Sequence, residues 1–107
     1  MRLAAVIALV PEVSAPELED WIGRGWVLPA GAPPDWVFAE IDVARVRLLR
    51  DLRHGMGVEP ETLPLVLSLL DRLYDLRCAL DALLDAAGTL PPHEREALLA
   101  ALRQRLG

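Results

Sequence analysis

The chain has 107 residues, of which 53% are hydrophobic, 25% charged and 5% aromatic, so we expect one small domain and not a multidomain enzyme. Leucine, alanine and arginine dominate the composition and favour helices. Eleven arginines and no lysines stand against sixteen acidic residues, a formal net charge of −5. This balance argues against a general binder of nucleic acid or of anionic membranes.

Residues with catalytic or metal-binding chemistry are sparse. The single Cys78 excludes an intramolecular disulfide and a cysteine-based zinc site. His54 and His93 lie far apart, and no glycine-rich phosphate loop or nucleophile arrangement is present. We therefore expect no enzyme activity, no cofactor and no metal. The apolar run Leu3–Val10 is too short for a convincing signal peptide, and no later stretch is apolar enough to span a membrane, so we expect a cytoplasmic protein.

The first 40 residues predict two short helices and a hairpin. Leu3–Val10 indicates a short helix that stops at Pro11, with a strand as the alternative because of its valine and isoleucine content. Ser14 is a typical N-cap for a second helix ending at Gly23–Gly25. Two extended triplets, Trp26–Leu28 and Trp36–Phe38, flank a proline-rich turn. This pattern predicts a small β-hairpin, or wing.

The remaining residues predict three more helices. Asp42 is a candidate cap for a helix running to about Arg53, and the longest helix starts near 59–61 and ends at about Ala86. A closing helix covers His93–Leu106. The predicted fold is all-α with a small β-wing, a winged helix–turn–helix-like region over 1–58 and two helices over 59–107, in one compact domain.

The longest helix carries a leucine seam, which we define as six apolar residues at alternating spacings of three and four: Val66, Leu69, Leu73, Leu76, Leu80 and Leu83. This spacing is typical of a coiled coil about two and a half heptads long. A small domain does not easily cover such a stripe, so the seam predicts pairing, with a homodimer as the expected form. The closing helix is the alternative cover for the seam.

The opposite side of the same helix is acidic. Taking 100° per residue, four aspartates fall within about 120° of one another, and we call them the acidic face: Asp71, Asp75, Asp81 and Asp85. Charged helix faces are usually only solvated. The alternative is that the acidic face binds a basic surface of another protein.

Several blocks resemble the MerR-type winged helix–turn–helix, namely Val13–Leu18, Trp36–Phe38 and Asp42–Leu52. Together with Gly57-Val58 and Val66–Leu73, they look closer to one branch, the chaperone modulatory proteins of the CbpM family. The resemblance covers about residues 3–80. It implies a protein that binds the J-domain of a DnaJ-like co-chaperone, CbpA, and prevents that domain from engaging a DnaK-type chaperone.

Charge distinguishes this function from DNA binding by a MerR-like transcriptional regulator, which is the principal alternative. The second helix, which would enter the major groove, carries three acids and only Arg24 to offset them, and residues 25–40 contain no basic side chain. We therefore expect a co-chaperone modulator and do not expect DNA binding. The candidate partner-binding residues are Asp71, Asp75, Glu17, Glu19 and Asp20.

Overall fold

The computed structural model describes all residues from Met1 to Gly107 and is helical, with no β-strand. A π-helical turn, Asp51–Gly55, follows the third helix directly. The five α-helices are α1 (Leu3–Leu9), α2 (Ala15–Gly23), α3 (Glu40–Arg50), α4 (Leu63–Ala87) and α5 (Pro92–Leu106).

The first two helices agree with the sequence prediction. The Ser14 hydroxyl accepts a hydrogen bond from the backbone N–H of Glu17 at 3.2 Å, so Ser14 is the N-cap of α2. Gly25 has a φ of +76°, a backbone conformation that glycine adopts without steric cost and that follows the helix end. The helix therefore ends where the glycine pair predicted.

The predicted β-wing is wrong. Between the two triplets only one isolated antiparallel bridge forms, from Ala30 to Val37, with two backbone hydrogen bonds of 2.9 Å. The backbone of Phe38 bonds instead to Met1, donating to its carbonyl at 2.7 Å. The Trp26 carbonyl accepts from the Arg45 guanidinium at 3.1 Å. Because partners outside the hairpin satisfy these backbone groups, the triplets do not extend into paired strands.

Helix α3 begins earlier and ends differently from the prediction. Asp42 is not the N-cap; it lies in the first turn and accepts from the backbone N–H of Ala39 at 2.8 Å, so the helix starts at Glu40. At its other end the α-helix changes to the π-helical turn at Asp51. The Arg53 guanidinium then donates to the Val58 carbonyl at 3.2 Å, which holds the chain that leaves the turn.

The chain divides into two compact units, unit 1 (Met1–Leu67) and unit 2 (Ser68–Gly107). Every buried side chain belongs to unit 1. This core combines residues of α1, α2, α3, the π-helical turn and the start of α4 with residues of the connecting segments: Val6, Val10, Val13, Leu18, Trp21, Val27, Phe38, Val43, Val46, Leu49, Leu52, Leu63 and Leu67.

Unit 2 contains most of α4 and the whole of α5, and none of its residues is buried. The connection between the two helices is nevertheless ordered by hydrogen bonds. The Arg95 guanidinium donates to the carbonyls of Gly88 and Leu90 at 3.0 and 3.1 Å, and so satisfies backbone acceptors beyond the end of α4. None of the helices is both long and apolar enough to cross a membrane.

The burial pattern predicts where truncation destabilises the fold. Leu49 is fully buried, whereas Leu28 is 76% exposed. Leu49→Ala should lower the free energy of unfolding by about 2–4 kcal/mol, because a cavity remains in the core. The matched change Leu28→Ala should alter it by less than about 0.5 kcal/mol. Urea denaturation followed by tryptophan fluorescence measures both, and equal losses would contradict the core described here.

Candidate functional site

The leucine seam lies along one side of α4 and is largely exposed. Its five leucines, which all belong to unit 2, retain between 54% and 69% of their accessible surface. Val66, at the end of the seam that belongs to unit 1, is half-buried. Leu65 and Leu84 flank the seam and are 62% and 50% exposed. Large contiguous apolar patches are uncommon on monomeric proteins, which makes the exposed seam a candidate interaction surface.

The closing helix does not cover the seam. Helix α5 has no buried residue, and its own leucines Leu99 and Leu102 are 40% and 37% exposed. A covering helix would remove accessible surface from both sides of the contact. The alternative that α5 completes the seam within unit 2 is therefore excluded by the exposure of both helices.

The acidic face occupies the other side of α4. Asp75, Asp81 and Asp85 are exposed, and Asp71, one turn before Asp75, is exposed as well. At 100° per residue these carboxylates lie opposite the seam, so α4 presents an apolar face and an anionic face over the same length. Such a helix can contact two different surfaces without competition between them.

A tyrosine and the single cysteine stand one turn apart on α4. A side-chain hydrogen bond to Cys78 raises the pKa of the exposed Tyr74 above its ordinary value of 10.0, and the charge of a Cys78 thiolate and of Asp75 adds to the effect. The phenol therefore stays protonated to a higher pH than a free tyrosine. Cys78 is exposed and forms no disulfide.

The acidic candidates of α2 lie in unit 1, and two of them are engaged within it. Glu17 accepts from His54 Nε2 at 2.6 Å, which ties α2 to the π-helical turn. Asp20 pairs with Arg24 at 3.0 Å. Glu19 is exposed. Glu17 and Asp20 thus have structural partners, whereas Asp75, Asp81 and Asp85 present charge directly to solvent.

Several arginines of unit 1 are engaged in contacts within that unit. Arg24 bonds to Asp20 and lies 5.0 Å from the centre of the Trp26 ring. Arg50 pairs with Asp51 at 3.0 Å and with Glu12 at 3.7 Å. Arg45 binds the Trp26 carbonyl. These guanidinium groups stabilise loops and helix ends, and this leaves few basic groups on α2 and α3 for a phosphate backbone.

The tryptophans do not form a common exposed patch. Trp21 is 3% exposed and belongs to the core. Trp26 and Trp36 are half-buried. The large apolar surface available to a partner is therefore aliphatic and lies on α4.

Comparisons with protein-family models, with curated proteins and with solved structures give no match for this chain.

The hydrogen bond between Tyr74 and Cys78 can be tested by spectroscopic titration of the tyrosine. Tyr74 is the only tyrosine, so the tyrosinate absorbance reports it alone. Because the hydrogen bond to Cys78 is the largest cause of the raised pKa, Cys78→Ala should move the titration toward lower pH. Asp75→Asn should move it less, since its charge contributes less. An unchanged midpoint in Cys78→Ala would contradict the contact.

Proposed function

We propose that this protein is a non-enzymatic modulator that binds the J-domain of a DnaJ-like co-chaperone through the acidic face of α4. The observation that carries the proposal is the row of exposed aspartates on α4, which includes Asp75, Asp81 and Asp85. A row of carboxylates along a straight helix is complementary to a helix that carries lysine and arginine. The resemblance to the CbpM family supplies the class of partner.

The mode of inhibition follows from competition for one basic surface. In the family that this chain resembles, the J-domain uses a basic helix to engage a DnaK-type chaperone. A modulator whose carboxylates cover that helix prevents the engagement without any chemical step. Its electrostatic attraction also accelerates encounter with a cationic partner. A cytoplasmic location, where such chaperones act, belongs to the same proposal.

Sequence-selective DNA binding is the alternative function, and the contacts on α2 disfavour it. Arg24, the only basic side chain of this segment, is engaged by Asp20 and stacked on Trp26. Glu19 faces solvent and would meet phosphate oxygens with like charge. DNA-binding surfaces obtain most of their affinity from lysine and arginine at the phosphates, and α2 does not supply them.

Reversing charge on the acidic face should weaken J-domain binding. The double variant Asp75→Lys with Asp81→Lys should raise the dissociation constant at least about tenfold at low salt, because two attractive contacts become repulsive. Isothermal titration calorimetry with a purified DnaJ-like J-domain measures the change. Glu61→Lys is the matched control, since Glu61 is an exposed acid in the turn before α4, and it should bind nearly as well as the parent protein.

The salt dependence of J-domain binding and an assay for DNA binding distinguish the two functions. Binding of the parent protein should weaken as ionic strength rises past the range in which exposed charges interact. No detectable binding to the J-domain at about 10 µM would overturn the proposal, because steered complexes of this kind are normally micromolar or tighter. Tight and selective binding to a DNA site in a mobility-shift assay would instead establish the alternative.

A further inference from the structure

We propose that a second copy of this chain covers the leucine seam, and that the two α4 helices pair in an antiparallel orientation. The starting observation is that unit 2 buries none of its side chains. An apolar stripe left in water is unfavourable in proportion to its area. A partner helix of matching spacing removes the whole stripe from solvent in one contact.

The seam has the length and continuity that pairing needs. Helix α4 runs without interruption from Leu63 to Ala87, so all six seam residues belong to one helix. In heptad terms Val66, Leu73 and Leu80 occupy position a, and Leu69, Leu76 and Leu83 occupy position d. The exposure of the five leucines shows that no other part of unit 2 fills these positions.

The flanking residues decide the orientation. Arg72 occupies position g and Arg77 position e of the following heptad. In a parallel pair, position g faces position e of the following heptad on the partner, so Arg72 would meet Arg77 of the second copy on both sides of the interface. Two arginine–arginine contacts next to a hydrophobic seam are repulsive, and no neighbouring e or g residue is acidic.

The antiparallel pair removes this repulsion and adds complementary contacts. Leu69 then faces Leu80 of the second copy, and Leu73 faces Leu76. Arg77 lies over Leu70, which its aliphatic stem can cover. Arg72 lies beside Ala79 of the second copy, so no arginine meets another arginine across the pair.

A second copy also satisfies the symmetry of the seam. In an antiparallel two-fold contact every a position meets a d position of an identical helix. The alternation of spacings in α4 provides that match along its length. The acidic face lies on the opposite side of each helix and stays accessible in the pair. The inference is independent of the proposed function, because it concerns the other face of α4.

Sedimentation velocity over a range of concentrations tests the pairing. The intact chain should be dimeric at about 100 µM, a concentration at which weak specific pairs are populated. Leu76→Glu should raise the dissociation constant at least about 100-fold, because it places two uncompensated charges in the seam. Glutamate and leucine have similar helix propensities. Leu28→Glu is the matched control at an exposed leucine of unit 1 and should leave the dimer intact.

Disulfide cross-linking tests the orientation. In a Cys78→Ser background, chains carrying Leu69→Cys and chains carrying Leu80→Cys are prepared separately, mixed under reducing conditions and then oxidised. The antiparallel pair should give the mixed disulfide, since in it two copies of position 69 lie about 16 Å apart along the axis. Disulfides between identical chains would establish the parallel pair and overturn the orientation.

The outcomes separate the two proposals. A chain that stays monomeric throughout the concentration range, or a Leu76→Glu variant that dimerises like the parent, overturns the pairing. Neither result bears on J-domain binding, which is measured with the acidic-face variants. Circular dichroism and the urea midpoint of Leu76→Glu verify that unit 1 is folded in the comparison.

Discussion

Burial of apolar side chains in this protein stops at Leu67, one turn into α4, and the rest of its organisation depends on that limit. Leu63 and Leu67 lie four residues apart on one side of the helix and are 0% and 4% exposed. They anchor α4 in the core of unit 1. Beyond them the helix continues for about five turns without burying a side chain. Unit 2 is too small to build a hydrophobic core unaided, and its leucines stay exposed.

The consequence is a helix with two chemically different faces. The periodicity that aligns the leucines on one side of α4 also places the aspartates on the other, because both sets follow the same turn. An apolar face pairs best with a surface of matching shape, whereas an anionic face attracts a cationic partner over several ångströms. The two contacts therefore differ in range and in salt dependence, and one helix can make both.

Features that depend on interactions between residues close in sequence were predictable, whereas features that depend on contacts between distant residues were not. The Ser14 cap and the glycine pair after α2 depend on interactions within a few residues, so both ends of this helix were predicted correctly. The β-wing failed because Phe38 bonds to Met1 and Trp26 bonds to Arg45, partners that lie 37 and 19 residues away. The contact of His54 with Glu17 was missed for the same reason.

The periodicity of the sequence also does not predict which apolar helix faces become buried. Val43, Val46 and Leu49 repeat every three residues and form the core, while the seam repeats every three and four residues and stays exposed. Such a pattern establishes that a helix has an apolar face but not which surface covers it. The structure excluded α5 as the cover. The acidic candidates were likewise sorted only by contacts, since Glu17 and Asp20 have partners within unit 1.

Contacts within the protein also determine which charged groups are available to a partner. Six of the guanidinium groups bind backbone carbonyls or carboxylates within their own unit, namely those of Arg2, Arg24, Arg45, Arg50, Arg53 and Arg95. A guanidinium group held in such a contact is less available to an external anion, although a hydrogen bond to a carbonyl leaves its charge unchanged. Asp75, Asp81 and Asp85 of the acidic face remain exposed. The net charge stays at −5, and the exposed carboxylates of the acidic face are the charged surface on which the proposed binding of a cationic partner depends.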